Sequence, residues 1–269
     1  MTLIVGIKCS NGIVVGADGA ASLGVMGQMT ALQPVKKLAI IQSKIILGVS
    51  GPIGLFQRIQ GIVPSFPHLT GRSKTEVMGD LRKAIWKDIL QLEFEAATLT
   101  SKVIGPAANL SCVCSAMFAL PVKNNELALI HLDQNASPEA ASDDLPFAAI
   151  GSGQPLADPF LAFIRRIFWP GRLPNLAEGE FAIWWTLHHA IKTAPGGIAE
   201  PKQMAVLQID AGKVIARELS SAEMQEHEEA VGNAERHLSE FQKHPSPLMT
   251  PVVPAPPAAA AAEPTIAPT

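Results

Sequence analysis

Asn11-Gly12, set between two apolar, β-branched runs, constrains this chain more than any other feature. Ile4-Val5-Gly6-Ile7 leads into the pair and Ile13-Val14-Val15 leaves it, and an Asn-Gly so flanked predicts a β-hairpin because both positions tolerate positive φ. The chain therefore opens inside a sheet. No basic segment and no small-residue cleavage site precedes the hairpin, so no signal peptide is expected. Cutting after Met1 leaves Thr2 as the first residue. A threonine at a free N-terminus carries a hydroxyl and an α-amine on adjacent carbons, which puts nucleophile and base in one residue.

More segments then follow in a fixed order. Gly16-Ala17-Asp18-Gly19-Ala20-Ala21-Ser22-Leu23-Gly24 places an acid among small residues; Val35-Lys36-Lys37-Leu38 pairs two lysines; Ser50-Gly51-Pro52-Ile53-Gly54 and Ala149-Ile150-Gly151-Ser152-Gly153 are glycine segments. Taken singly each has an ordinary reading: Asp18-Gly19 a turn, Lys36-Lys37 a solvated pair, Gly51 and Gly54 tight-turn glycines, Gly151-Ser152-Gly153 a strand-to-helix connection with a cap. Neither glycine segment is a G-x-S-x-G elbow, and the second lacks the third glycine of a dinucleotide fingerprint. In this order behind a threonine, however, the stretch from Thr2 to about Glu218 resembles proteasome β subunits and HslV, the bacterial proteasome-like protease, within the Ntn-hydrolase superfamily. The short N-terminus and long tail resemble the betaproteobacterial branch of these proteasome homologues.

That resemblance implies an α+β fold, a four-layer αββα sandwich of two antiparallel sheets. It implies Thr2 as nucleophile, Asp18 and Lys37 beneath it, the Gly51 amide as oxyanion donor, and Ser152 as a partner of the amine. It also implies a specificity pocket lined by Ala21, Val35, Ala39, Val49, Ile53 and Gln57, a largely apolar set without charge. Peptides or unfolded proteins are the implied substrates. A closed homo-oligomeric ring, stacked as a double ring, is the implied assembly, and an ATPase unfoldase is a partner the family admits. No cofactor and no metal is implied. Proteasome β subunits carry a further Asp and Ser after the fourth helix, where this chain has Thr193 and Gly196 in Lys192-Thr193-Ala194-Pro195-Gly196-Gly197.

The chemistry gives each residue a reason. An α-amine has an intrinsic pKa near 8, about right to take the proton from its own Oγ at neutral pH. A buried lysine cation favours the deprotonated forms of both groups, and a carboxylate holds that lysine charged and in place. Because strand side chains alternate, only one of Lys36 and Lys37 can point at Thr2, and the resemblance selects Lys37. Two other readings stay open: a catalytically silent ring acting as a binding chamber, and an Ntn amidase acting on a small molecule.

Composition excludes several classes. A net charge of −3 and a pI near 6.2 argue against a nucleic-acid surface. No apolar run is long enough for a transmembrane helix. Three cysteines cannot build a disulfide framework, so a reduced, cytoplasmic setting is expected; Cys112 and Cys114 share one sheet face but lack a second ligand pair. His188-His189 sits in a helical run where adjacent residues cannot share a face.

The remaining pattern predicts strands over 37–42, 45–50, 110–118, 126–132, 147–150, 203–209 and 213–218, with a glycine-rich connection over 24–34. Helices are expected over 52–63, from Ser73 with a Ser73/Glu76 capping box, over 155–168 and over 176–192. Val77, Leu81, Ile85, Ile89, Leu92 and Phe94 are expected to be one buried stripe. Residues 1–219 read as the Ntn-hydrolase domain and 220–244 as a charged helical extension. Residues 245–269, nearly all Pro, Ala and small residues, read as disordered because they cannot bury enough apolar area to offset their ordering entropy.

Overall fold

The computed structural model describes residues 1–25, 28–65, 71–105, 113–194 and 196–243. Its first strands are Ile4–Cys9 (β1), Gly12–Ala17 (β2), Ala20–Val25 (β3), Gln28–Pro34 (β4), Leu38–Ile41 (β5) and Ile45–Ser50 (β6). Ser115–Pro121 (β7), Leu127–Leu132 (β8), Pro138–Ala140 (β9), Phe147–Ile150 (β10), Gln203–Asp210 (β11) and Lys213–Glu218 (β12) follow. The helices are Ile53–Ile62 (α1), Lys74–Ile85 (α2), Gln91–Ile104 (α3), Gln154–Phe168 (α4), Leu176–Thr193 (α5) and Ser221–Lys243 (α6).

The opening hairpin forms, with β1 and β2 paired from Ile4 opposite Ala17 to Cys9 opposite Gly12. Its turn is Ser10-Asn11 rather than Asn11-Gly12, and neither turn residue has positive φ. Tertiary hydrogen bonds set this geometry: the Ser10 amide donates to the Pro174 carbonyl at 2.8 Å, and the Asn11 side chain accepts from the Leu176 amide at 2.9 Å. Gly12 thus serves the strand. The hairpin at the other end of this sheet does use left-handed residues, with Ala211 at φ 46° and Gly212 at φ 78° between β11 and β12.

Among the described residues the strands make three antiparallel sheets, in the orders β10-β1-β2-β11-β12, β3-β4 and β5-β6-β7-β8-β9. Alternation sorts the faces. From the first sheet Ile4, Ile13 and Val15 pack in one cluster with Ile46, Met117 and Leu129 of the third. The opposite face of β1 and β2 carries α5, which sits close because Gly16 has no side chain: a Cβ there would lie 2.3 Å from Ile183. On the far side of the third sheet, Leu47, Phe118 and Ile130 pack with Leu55 and Ile59 of α1 and Val77, Leu81 and Ile85 of α2. At about 25 cal/mol per Å² of apolar area, these two clusters are the main favourable term in folding.

The capping box at Ser73 and Glu76 opens α2 as expected. The apolar stripe differs. Val77, Leu81, Ile85 and Ile89 are buried, but Leu92 and Phe94 are exposed and Leu90 and Ala97 are buried instead. A π turn over Trp86–Leu90 inserts a residue into the repeat and rotates the buried face. Residues 24–34, expected as a connection, pair instead as β3 and β4. Gly24 and Gln28 weaken the alternation from which a strand is read. β7 starts at Ser115 rather than 110; residues 106–112, Cys112 included, lie outside the described residues. The short β9 has no counterpart among the expected elements.

The chain divides into two units, Met1–Val231 and Gly232–Thr269. The tail read as disordered lies outside the described residues. Among those residues no helix is long and apolar enough to cross a membrane.

Candidate active site

The N-terminal segment runs into β1 alongside the β10–α4 connection, and the backbone of Thr2 is held from that side. Its amide donates to Ser152 Oγ at 3.1 Å, and its carbonyl accepts from the Gly153 amide at 3.1 Å. Gly151 permits this approach. At φ 96° it occupies a region L-residues avoid, and a Cβ there would lie 2.3 Å from the Thr2 carbonyl oxygen.

Asp18 lies at the end of β2 with its carboxylate fully buried. Its Oδ1 accepts from the Leu3 amide at 2.8 Å and from Lys37 Nζ at 2.7 Å. Its Oδ2 accepts from the Ala20 amide at 3.3 Å and the Ala199 amide at 3.4 Å. Every strong acceptor direction is thus occupied, which is what a buried carboxylate requires. Lys37 is 6% exposed and also donates to the Met1 carbonyl at 3.3 Å. Burial pulls its pKa below the usual lysine value, with Asp18 opposing the shift through charge and hydrogen bond. The amine of Met1 is likewise held below its ordinary value, first by burial and then by the Lys37 cation.

The two lysines lie in the connection between β4 and β5 and turn opposite ways. Lys36 points outward and pairs with Glu218 at 2.5 Å, whereas Lys37 turns in to Asp18. The segment is fixed by Gln203, whose Oε1 accepts from the Lys37 amide at 2.9 Å and whose Nε2 donates to the Val35 carbonyl at 2.6 Å. Gln203 was not legible as a site residue: it comes from β11, and nothing around it signals a loop 166 positions earlier.

Beside Thr2 opens a cavity of about 580 Å³. Ala21, Val35, Val49, Ile53, Gln57 and Gly51 line it, as does Lys37. Ala39 does not; it is buried on β5 opposite Leu47. Lys36, Pro52, Phe56 and Gln60 also line the cavity. Phe56 and Gln60 were findable, since Ile53, Phe56, Gln57 and Gln60 share one helix face by their three- and four-residue steps. Gly51 has φ 150°, and a Cβ on it would meet Cys114 Cβ at 2.6 Å. Thr193 stays apart: its hydroxyl donates to the His189 carbonyl within α5. His188 stacks on Trp184 and His189 on Phe160. The Cys9 thiol is pushed up to about 12, chiefly by burial and then by Glu180 and Glu178, so it is no nucleophile.

The arrangement offers a hydroxyl-bearing residue above a lysine–aspartate pair, with an apolar hollow alongside. With Met1 attached, the nitrogen of Thr2 is an amide and has no basic lone pair; freed, it would lie against Ser152 Oγ as an amine.

No protein-family model matches the sequence, and no curated protein matches it. Solved structures do match in fold. Anbu, an ancestral beta-subunit, from Yersinia bercovieri superposes with a TM-score of 0.61 at 15% identity, covering 90% of this chain and 97% of that one. Anbu from Hyphomicrobium sp. strain MC1 gives 0.58 at 16% identity, covering 88% and 97%. The Anbu complex from Pseudomonas aeruginosa, solved as a helical assembly, gives 0.63 at 12% identity, covering 96% and 100%. These findings correct the resemblance to HslV and to a betaproteobacterial proteasome branch: the opening hairpin, the Asp–Lys pair and the glycine segments describe a site geometry and carry too little to choose a branch. At identities this low the likeness shows the fold, that of the Anbu ancestral beta-subunits.

Proposed function

We propose that this chain is a threonine hydrolase that cleaves peptide bonds from inside an assembled chamber, with Thr2 freed by removal of Met1. The observation that carries the reading is the Lys37 ammonium, buried between Asp18 Oδ1 at 2.7 Å and the carbonyl that precedes Thr2 at 3.3 Å. In the mature chain the Thr2 amine takes the proton from Oγ, and Oγ attacks the substrate carbonyl. The Gly51 amide stabilises the oxyanion, the ammonium of Thr2 protonates the departing amine, and water then hydrolyses the ester on Oγ. Lys37 lowers the energy of the alkoxide, Asp18 holds Lys37, and Ser152 orients the amine. The two five-stranded sheets, with α1 and α2 on one outer side and α4 and α5 on the other, fit the four-layer αββα arrangement of Ntn hydrolases. Residues 1–219 are the catalytic domain of this reading, 220–244 its helical extension and 245–269 its disordered tail.

An N-terminal nucleophile open to the cytoplasm would cut protein indiscriminately, so a chamber of like subunits accompanies the activity. The helical assembly of the Pseudomonas aeruginosa protein supports self-association of this fold. An ATPase that feeds unfolded chains would be its partner. Intact mass of the purified chain, followed by labelling with a peptide epoxyketone, tests the reading. Loss of Met1 with one adduct on Thr2 is expected, and retention of Met1 on the assembled protein sinks it. A silent chamber is the second reading, favoured by Thr193 bonding within α5 and by Gly196, which offers no side chain where proteasome β subunits carry a polar one. A freed Thr2 that takes up no label would decide for it.

A further inference from the structure

The helices over the first sheet leave its two edges unlike. α4 packs against α5 and the edge strand β10. The start of α6 lies at the opposite edge, with Glu223 paired to Arg217 of β12 at 2.8 Å and His227 meeting Glu180 of α5 at 3.2 Å. At the α4 edge, Phe163, Arg166 and Ile167 share a helix face by their three- and four-residue steps, with the Arg166 guanidinium 5.9 Å from the Phe163 ring centre. Phe163 is 44% and Ile167 52% exposed, and neither Arg165 nor Arg166 forms an ion pair among the described residues. Large apolar side chains left in water beside unpaired cations mark a contact surface.

At the other edge a groove of about 1000 Å³ runs between α6 and the sheet. Pro201, Leu219 and Met224 line its apolar part, and Glu228 and Glu229 its rim. Among the described residues neither glutamate forms an ion pair. Glu200 and Glu218 also line it but are already neutralised by Lys202 and Lys36. The groove therefore offers an apolar bed and two uncompensated anions to whatever fills it.

We propose that a second copy of this chain fills it head to tail: the end of α4 of one subunit, carrying Phe163, Arg166 and Ile167, seats in the α6 groove of the next, with Arg165 and Arg166 against Glu228 and Glu229. This rests on the assembled-chamber reading and gives it its contact. Because the knob and the groove lie on opposite edges of one sheet, the contact is heterologous, so each subunit keeps a free half and the chain of contacts must close as a ring or run on as a helix. Complementary charge fixes the register, and the apolar side chains supply the burial.

Charge reversal tests it on the full chain. Arg165→Glu with Arg166→Glu, and separately Glu228→Arg with Glu229→Arg, should each weaken self-association by on the order of tenfold or more in analytical ultracentrifugation. All four sites are at least partly in solvent, so each variant should fold, which circular dichroism checks. An equimolar mixture of the two should recover assembly, because every interface in an alternating array pairs Glu on α4 with Arg in the groove, or the native pair. A chain carrying all four changes should recover it too. Native-like assembly of either double variant, or no recovery on mixing, overturns the contact while leaving the chamber standing. A native protein that is monomeric at micromolar concentration overturns both.

Discussion

Lys37 Nζ lies 2.7 Å from Asp18 Oδ1 in a place where the lysine is 6% and the aspartate 0% exposed. A charge pair so placed stabilises little relative to apolar side chains, since both ions lose their hydration, but breaking it strands the other charge. Its value here is the position it gives the lysine.

Asp18→Asn should therefore lower stability by about 3 kcal/mol in urea unfolding and also abolish labelling of Thr2, because Lys37 then loses its anion and its burial favours the neutral amine. Lys37→Ala should slow acylation on the order of a hundredfold or more. Lys36→Ala, which removes an exposed pair with Glu218 and one cation from the cavity lining, should change stability by under about 1 kcal/mol and leave acylation by an apolar substrate intact. Equal effects of the two lysine changes would contradict the assignment.

The outline of this site is legible from motif order and the resemblance together. Neighbouring side chains that point opposite ways let only one of Lys36 and Lys37 turn inward, the resemblance names Lys37, and Asp18 sits where the opening hairpin ends. What hid were partners brought by distant chain: Gln203 clamping Val35 and Lys37, and Ala199 donating to Asp18. In the fold, the outer faces of α3 were misread because the π turn at Trp86–Leu90 breaks the 3.6-residue period that burial patterns assume. The separate pair β3 and β4 escaped because Ser22, Gly24 and Gln28 dilute alternation.

The pH dependence of acylation follows from the amine. Burial first, and Lys37 second, hold the N-terminal amine at Met1 below its ordinary value of 8.0 against an opposing pull from Asp18, and a Thr2 amine freed one residue further in is expected to meet the same three influences. The neutral amine is the base, so single-turnover labelling should rise with pH through an apparent pKa below 8.0 and then level off. Lys37→Met should move that midpoint upward, since it removes a cation, yet keep it under the ordinary value because burial remains. A midpoint above 8.0 in the native enzyme would exclude the amine in this environment as the base.

Glu178 gives the fold an acid limit. Two hydrogen bonds from Arg172 and the capping box with Asn175 hold its pKa at about 2 against an ordinary 4.5. A carboxylate depressed on folding contributes stability that is complete above about 4.5 and lost as pH falls through about 2. The native chain should therefore exceed Glu178→Gln in Tm at pH 6, with the gap closing steadily toward pH 2. A gap that stays constant over that range would mean the carboxylate charge is not what Arg172 and Asn175 recognise.

Substrate preference should follow the cavity beside Thr2. Val35, Val49, Ile53 and Phe56 give it an apolar wall, and the charged side chains along it are Lys36 and Lys37, both cations. An apolar residue entering it gains roughly 25 cal/mol per Å² buried, whereas Arg or Lys would be desolvated beside like charge with no carboxylate among the described lining residues to receive it. Asp18 is no substitute, for its oxygens are taken by Leu3, Ala20, Lys37 and Ala199. Val49 is buried and branched, so it limits depth. Fluorogenic peptides ending in Leu should be cut faster than those ending in Arg, and Val49→Ala should improve Phe relative to Leu on the order of tenfold in kcat/KM, the worth of a methylene or two in such a pocket. A preference for Arg would place the substrate elsewhere, and a size preference unmoved by Val49→Ala would remove Val49 from the pocket floor.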